Sequence, residues 1–300
     1  MTPFDVITAR IVSQLESGTA PWRRPWGGRF RFPRNLISGK EYRGINTFVL
    51  SMMGFSSPYW LTYKQAQALG GHVRKGEKSA PVVFWSTVER LDEGADKPER
   101  VPFIRYYSAF NVAQCDGLPT EIVTAAEVIP PRPFAPIVAC ERVVDRMQNR
   151  PVIRHGFEGA CYAPALDEVR MPDRPSFEKP EGYYSTLFHE LGHSTGHASR
   201  LARKGIADSV SAFGSDSYGR EELVAEMTSA FLCGHTGIEP ATLDNAAAYV
   251  AGWLKVIRQD ARLVVTAAAQ AQKAADYILG LRLTDSTGRD AESIVEGGAQ

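Results

Sequence analysis

The segment His-Glu-Leu-Gly-His at positions 189–193 constrains the fold of this 300-residue chain more than any other stretch. The pattern H-E-x-x-H separates two imidazoles by four residues, and an α-helix brings side chains with that spacing to one face, one turn apart. His189 and His193 can then bind the same metal ion, and Glu190 beside them can accept a proton from a water molecule on that ion. The sequence therefore predicts a metal-binding helix with its general base already present.

A hydrolytic zinc ion needs a third protein ligand and one open position for water. Three later residues are candidates, namely His197, Glu222 and Glu226. The two glutamates are four residues apart and share one face of a predicted helix. His197 comes too early for the pattern H-E-x-x-H-x-x-G-x-x-H, which Gly196 would otherwise fit. We interpret His197 as a residue at the helix end, where a positive charge is favourable.

A closed structural zinc site is one alternative, but such sites usually recruit cysteine. The four cysteines, at positions 115, 140, 161 and 233, form no C-x-x-C pair. An amphipathic helix with two chance histidines would not explain why an acid-rich helix follows at a suitable distance. We therefore predict a catalytic metal site. Zinc is the expected ion, although two imidazoles and one carboxylate also accept Mn²⁺ or Co²⁺.

Cysteine usage and hydropathy indicate the compartment. Four scattered cysteines suit a reducing cytosol, and no apolar run reaches the roughly 18 residues that a membrane span requires. The first residues lack the basic region and apolar core of a signal peptide. We expect a cytoplasmic protein that does not associate with membranes.

The net charge of zero conceals a difference between the two ends of the chain. Residues 1–90 contain 13 lysines and arginines and 5 aspartates and glutamates, a balance of +8. The remaining residues contain 21 basic and 29 acidic side chains, a balance of −8. Such a division indicates a part that binds a polyanion, joined to a part with another role.

Four prolines between residues 130 and 136 mark a boundary, because proline continues neither a helix nor a central strand. We predict an α+β fold in two domains, with an N-terminal domain over 1–129, a linker over 130–136 and a C-terminal domain over 137–300. The N-terminal domain is predicted to combine helices with two longer strands. Its predicted helices span 3–16, 45–54 and 62–70, and its strands 81–91 and 102–112. The predicted helices of the C-terminal domain span 137–149, 183–196, a segment from about 219, 241–258 and 260–281.

Arginines and aromatic side chains alternate between residues 21 and 34. Guanidinium groups can follow the phosphates of a single strand while aromatic faces stack on its unpaired bases. Prolines and glycines keep this segment out of regular structure, so we expect an exposed loop. Tyr63 and the turn around Arg74 are further candidates, although basic turns are usually solvated surface. The predicted contacts with single-stranded DNA are Trp22, Arg23, Arg24, Trp26, Arg29, Arg31, Arg43 and Lys75.

The two halves together resemble the ArdC family of plasmid-borne antirestriction proteins over nearly the whole chain. In the N-terminal half the resemblance rests on P-W-R-R-P-W at 21–26, Y-R-G-I-N at 42–46, W-L-T-Y-K-Q-A at 60–66 and F-N-V-A-Q at 110–114. In the C-terminal half it rests on Y-S-T-L-F-H-E-L-G-H at 184–193 and E-E-L-V-A-E at 221–226.

This resemblance implies an N-terminal domain that binds single-stranded DNA, shared with TraC-type primases, and a C-terminal zincin-like metallopeptidase domain. It implies that the protein helps plasmid DNA entering by conjugation to survive restriction. Its partners would be single-stranded DNA and an unidentified protein substrate, with the restriction machinery of the recipient cell as a candidate. By similarity to thermolysin-like zincins, Glu222 is the third ligand and Glu226 orients a ligand histidine. The reverse assignment stays open.

The expected reaction is metal-assisted peptide hydrolysis with Glu190 as general base. The segment Asp167–Met171 is predicted to be an edge strand that pairs with the substrate backbone, and Tyr218 is a candidate donor to the oxyanion. The alternative is a non-proteolytic protein that binds single-stranded DNA and has a structural or vestigial metal site. A nuclease or primase is less favoured, because nucleotide chemistry usually uses Mg²⁺ on paired carboxylates.

Overall fold

A computed structural model describes residues 2–17, 20, 22, 32–90, 99–119, 136–203, 206, 216–238 and 246–281. The chain divides into two compact units. Among the described residues, 2–7 and 32–119 belong to the first unit, and 8–22 and 136–281 to the second. Residues 8–22 therefore group with the C-terminal half, although the sequence suggested an N-terminal domain over 1–129. Of the predicted linker at 130–136, only Pro136 is described, and a helix begins there.

The first unit is built on a four-stranded sheet with the strand order β1-β2-β5-β4. Strands β4 and β5 are the two long strands predicted from the sequence, and they pair antiparallel along their whole length. The sheet strands are β1 (Arg34–Asn35), β2 (Tyr59–Thr62), β4 (Ala80–Arg90) and β5 (Glu99–Asn111), and a separate pair comprises β3 (His72–Val73) and β6 (Cys115–Asp116). The helices are α2 (Ile45–Ser51) and α3 (Tyr63–Ala68).

Both faces of this sheet are covered, as the alternation of side chains along β2 shows. Trp60 and Leu61 are adjacent, so their side chains point to opposite faces. Trp60 packs in a cluster with Leu50 of α2, whereas Leu61 packs with Ala66 of α3. Helix α3 begins with a capping box, in which the side chains of Thr62 and Gln65 each bond the other residue's backbone N–H.

The second unit is mainly helical and is arranged around one central helix. This helix, α6 (Asp216–Thr236), has every residue from 221 to 234 buried, which is typical of a core helix. Helices α5 and α8 make its most extensive contacts. The helices are α4 (Pro136–Arg146), α5 (Pro180–Ser194), α6 (Asp216–Thr236), α7 (Ala246–Gln259) and α8 (Leu263–Ile278), and α1 (Pro3–Glu16) adds its residues from Thr8 onward.

A small sheet with the strand order β7-β9-β8 completes this unit and corrects one prediction. Its strands are β7 (Val152–Arg154), β8 (Cys161–Ala163) and β9 (Glu168–Arg170). Strand β9 pairs parallel with β7 and antiparallel with β8. The prediction that Asp167–Met171 forms an edge strand is therefore wrong, because both sides of β9 already bond to neighbours. Among the described strands, β7 and β8 are the edges of this sheet.

Helices α5 and α6 approach closely at Gly192, one of the two variable positions of the H-E-x-x-H segment. A Cβ atom added at Gly192 would lie 3.2 Å from Ala225 Cα and 3.2 Å from Thr228 Cβ. These distances are tight even for a Cβ atom, so a side chain larger than alanine would push the helices apart. This close crossing brings the histidines of α5 to the glutamates of α6.

Candidate functional site

Helix α5 supplies the two histidines from its last two turns. Pro180 occupies a first-turn position, where a missing N–H costs no hydrogen bond. The helix ends at Ser194, and His197 lies just beyond it with Nδ1 2.8 Å from Ser199 Oγ. His197 is thus a residue after the helix end and does not belong to the cluster described next, in agreement with its interpretation from the sequence.

Two imidazole nitrogens and the two oxygens of one carboxylate converge where α5 and α6 meet. His189 Nε2 lies 3.1 Å from His193 Nε2, and Glu222 lies 3.6 Å from His189 Nε2 through Oε2 and 3.4 Å from His193 Nε2 through Oε1. Ligands about 2.0–2.2 Å from a tetrahedral ion are about 3.3–3.6 Å from one another. The three side chains can therefore hold one metal ion, and their donor types suit zinc, manganese or cobalt.

Each histidine also has a carboxylate behind it, at the ring nitrogen that faces away from the cluster. Glu226 Oε1 lies 3.9 Å from His189 Nδ1, and Glu221 Oε1 lies 3.5 Å from His193 Nδ1. A carboxylate at this nitrogen orients a metal-binding imidazole when it accepts a hydrogen bond from it, and here Glu221 lies near His193 Nδ1 at ion-pair distance without a hydrogen bond. Glu226 thus lies where the resemblance to zincins implied, whereas Glu221 was not anticipated. Its only signal in the sequence is its place next to Glu222.

Arg203 neutralises Glu221 in this buried region. Its Nε lies 3.1 Å from Glu221 Oε2, and its Nη2 contacts Glu221 Oε1. The same guanidinium donates to the backbone oxygen of Gly192 at 2.8 Å and to Thr195 Oγ1 at 2.5 Å. Buried carboxylates require such partners, because an isolated buried charge is costly.

The carboxylates strongly favour protonated histidines when no metal is bound. Burial lowers the pKa of His193, but Glu221 and Glu222 outweigh burial and raise it to about 10. Burial likewise lowers the pKa of His189, and Glu222 reverses this to a net rise. Burial raises the pKa of Glu222, yet the two histidines bring it well below its usual range. A metal ion would therefore have to displace protons from this site.

Glu190 lies next to the cluster on α5 and is 7% exposed. Its negative charge is among those that raise the pKa of both histidines. The pKa of the Cys161 thiol is also raised, mainly by its partial burial and secondly by the charge of Glu190. Because Cys161 lies on β8, which packs against α5, the edge of the small sheet beside Glu190 is β8.

The predicted DNA contacts have different outcomes. Trp22 is fully buried, and its ring meets that of Trp253 edge to face, with centroids 5.2 Å apart. The prediction that Trp22 is exposed for base stacking is wrong, since burial in this core removes a large apolar surface from water. Arg43 and Lys75 are exposed, and their contact with DNA stays a prediction. The other predicted contacts lie outside the described residues: Arg23, Arg24, Trp26, Arg29 and Arg31.

Three further residues of the first unit are candidates for DNA contact, and they differ in whether their side chains already bond within the protein. Arg74 bonds Glu77, Asp116 and the backbone oxygen of Ala113 at 2.8, 3.2 and 2.6 Å. Its guanidinium is therefore occupied within the protein. Tyr63 and Tyr106 are 48% and 49% exposed and present aromatic surface to solvent.

A helix with H-E-x-x-H, crossed by a second helix with a buried glutamate at the same point, defines a metallopeptidase-type domain of the zincin class. Residues 140–270 match the zincin-like metallopeptidase family, and residues 4–110 match the N-terminal domain of the anti-restriction factor ArdC. The chain belongs to the ArdC family of antirestriction proteins, and its fold is the α+β arrangement of these two domains.

Comparisons that cover more than nine-tenths of this chain agree with this assignment. The metal-free crystal structure of the antirestriction ArdC protein from the R388 plasmid is 36% identical, with 98% of each chain covered and a TM-score of 0.73. The Mn(II)-bound structure of that protein is 37% identical over 93% of this chain and 98% of its own, with a TM-score of 0.74. A DNA primase TraC of Escherichia coli is 37% identical over 92% of this chain, which spans 27% of the primase.

No helix among the described residues is long and apolar enough to span a membrane.

Proposed function

We propose that this protein binds single-stranded DNA that enters the cytoplasm of a recipient cell by conjugation, and that it cleaves a protein at a metal centre formed by His189, His193 and Glu222. The substrate we propose is a component of the restriction machinery of the recipient. The observation that carries the peptidase proposal is the convergence of two imidazole nitrogens and one carboxylate within 3.1–3.6 Å of one another.

Zinc is the proposed ion, with Mn²⁺ as a second candidate because a related ArdC protein has an Mn(II)-bound structure. When bound, a divalent ion supplies Lewis-acid activation of water and of the substrate carbonyl. Glu222 completes the ligand set, and Glu226 and Glu221 hold the two imidazole rings in place from behind. Two neutral imidazoles and one carboxylate are typical of catalytic rather than closed structural zinc sites.

Glu190 is proposed as the general base and acid. Its carboxylate would take a proton from the attacking water and pass it to the leaving amine. Its position next to His189 on the same helix and its burial support this role. A buried carboxylate passes a proton from the attacking water to the leaving amine with little exchange with bulk water.

The substrate backbone is proposed to pair with β8 rather than with β9. Strand β8 is an edge of its sheet among the described strands. The charge of Glu190 contributes to the raised pKa of Cys161 on this strand. An extended peptide that adds to such an edge would gain backbone hydrogen bonds on the side of the general base.

DNA binding is assigned to the first unit and to the Arg-rich segment 23–31. The proposal is supported by the match of residues 4–110 to the ArdC N-terminal domain and by the positive balance of residues 1–90. Among the described residues, the exposed Arg43 and Lys75 would contact phosphates, and Tyr63 and Tyr106 are available to stack on bases.

The variant Glu190→Gln tests the peptidase proposal. It should retain the metal content of the wild type and lose cleavage of a labelled casein or peptide library by about 10²–10⁴-fold. Glu178→Gln makes the same chemical change at an exposed position ahead of the same helix and should leave cleavage unchanged. Metal content is measured by mass spectrometry. Protection of plasmid DNA from restriction is measured by the efficiency of plasmid transfer into restricting and non-restricting recipients.

Cleavage that survives in Glu190→Gln would show that the general-base assignment is wrong. A variant that loses cleavage yet protects plasmid DNA fully would favour the alternative function, a non-proteolytic protein that acts by binding single-stranded DNA.

A further inference from the structure

We propose that Arg203 is a positioning residue of the metal centre. It holds Glu221 against Nδ1 of His193 and thereby leaves Glu222, the next residue, as the carboxylate that binds the metal. This inference rests on the proposed function, because it takes His193 to bind a metal ion through Nε2.

Glu221 and Glu222 are neighbours on α6 and compete for the same region. Both are 7% exposed, and both have an oxygen within 3.5 Å of a nitrogen of His193. Glu222 faces Nε2, the atom shared with the cluster, whereas Glu221 faces Nδ1 on the opposite side of the ring. Both carboxylates border the same imidazole, so what holds Glu221 on the Nδ1 side helps to decide which carboxylate faces the cluster.

Arg203 supplies that interaction through a two-point contact. Its Nε and Nη2 bond the two oxygens of Glu221, one each. Such a fork fixes the plane of the carboxylate as well as its position. With both oxygens engaged, Glu221 Oε1 stays 3.5 Å from His193 Nδ1, and the carboxylate cannot turn to the metal without breaking both contacts.

The same arginine also links the two helices that carry the ligands. It donates to Gly192 O and to Thr195 Oγ1 at the end of α5, and it reaches Glu221 near the start of α6. Its side chain is 9% exposed, so these contacts are largely shielded from water. The distance between His193 and Glu222 is therefore set in part by one guanidinium group.

Arg200 provides a matched control, because it is a second buried arginine at the same helix end. Its side chain is 1% exposed. It donates to Ser194 O, Asn149 O, Tyr162 and Asp167, and none of these residues belongs to the cluster of histidines and glutamates. Arg200 thus supports the fold around α5 without a contact to a carboxylate of α6.

The experiment measures Zn²⁺ affinity of the metal-stripped full chain by competition with a chromophoric chelator. Arg203→Lys keeps the positive charge and loses the fork, so it separates geometry from charge. We expect Arg203→Lys, Arg203→Ala and Glu221→Ala each to raise the Zn²⁺ dissociation constant about 10–100-fold. Arg203→Ala should add no further loss to Glu221→Ala, because Arg203 acts through that carboxylate.

Arg200→Lys should leave the Zn²⁺ dissociation constant within about twofold of the wild type, and urea unfolding of each metal-free variant reports structural damage separately. Should Arg203→Ala fail to fold, Arg203→Lys alone decides the matter. Unchanged or tighter Zn²⁺ binding in the folded Arg203 variants, an equal loss in Arg200→Lys, or full additivity with Glu221→Ala would overturn the inference. A wild-type protein that binds no Zn²⁺ would instead overturn the proposed function.

Discussion

At the scale of single residues, the metal centre is a small network of opposite charges in a buried region. Four glutamates, two histidines and one arginine lie around the point where α5 and α6 cross: Glu190, Glu221, Glu222, Glu226, His189, His193 and Arg203. Helical spacing alone could predict the two histidines and Glu190, whereas the choice of Glu222 over Glu226 came from the resemblance to thermolysin-like zincins. It could not predict Glu221 or Arg203, since their pairing depends on how the chain after α5 returns to α6.

Trp22 illustrates a different limit at the same scale. Its neighbours Pro21 and Arg23 suggested an exposed basic loop. The ring is buried against Trp253, more than 200 residues away along the chain. Local composition indicates only that a segment is irregular, and long-range packing decides whether its aromatic side chains are exposed.

The raised histidine pKa values predict that metal binding releases protons. Without metal, His193 has a pKa of about 10 and therefore carries a second proton near pH 7, and the pKa of His189 is raised from its ordinary value. Because the metal ion needs neutral imidazoles, its apparent affinity should increase as the pH rises from 6 to 9. Calorimetric titration of Zn²⁺ in buffers of different ionisation enthalpy measures the protons released. Heats that do not depend on the buffer would contradict this expectation.

At the scale of helices and strands, sequence periodicity predicted the elements well and their arrangement less well. The metal helix was expected over 183–196 and is found at Pro180–Ser194, and the acidic helix was expected from about 219 and begins at Asp216. The three-residue strands β7, β8 and β9 are too short for alternation to identify their neighbours. The strand order, and hence which strand is the edge, follows only from the folded chain.

The close crossing of α5 and α6 predicts a strong effect at Gly192. Gly192→Leu should destabilise the protein by about 1–3 kcal/mol through overpacking and should weaken Zn²⁺ binding, because it separates the histidines from Glu222. Gly182→Ala, in the same helix, is the control. A Cβ there would meet only Phe177 Cδ1, at 3.8 Å, so this variant should be as stable as the wild type or more stable by up to about 1 kcal/mol.

Urea unfolding and Zn²⁺ titration of both variants check this pair. Wild-type metal affinity in a folded Gly192→Leu protein would show that the helix spacing does not set the metal centre.

At the scale of the whole molecule, the candidate metal ligands and the exposed basic side chains considered above lie in different units. The buried carboxylates of the second unit face a candidate cation site, whereas exposed basic residues such as Arg43 and Lys75 belong to the first unit. Under the proposed function, one unit retains nucleic acid and the other acts on a polypeptide. The charge counts over residues 1–90 suggested two parts, but the two units divide the chain differently, because residues 8–22 group with the second unit.

The salt dependence of DNA binding tests the assignment of the first unit. Lys75→Ala should weaken binding to an oligothymidine strand and lower the slope of log affinity against log salt concentration by about 0.7. Arg74→Ala should change the slope less, because its guanidinium is already bonded to Glu77 and Asp116. A slope that responds to Arg74 as strongly as to Lys75, or to neither, would contradict the assignment.

Anomalous X-ray diffraction from crystals soaked in Zn²⁺ tests whether His189, His193 and Glu222 bind one divalent ion. We expect one strong anomalous peak within about 2.0–2.2 Å of Nε2 of both histidines and of a carboxylate oxygen of Glu222. A peak bound by other residues, or no peak between helices α5 and α6, would contradict it.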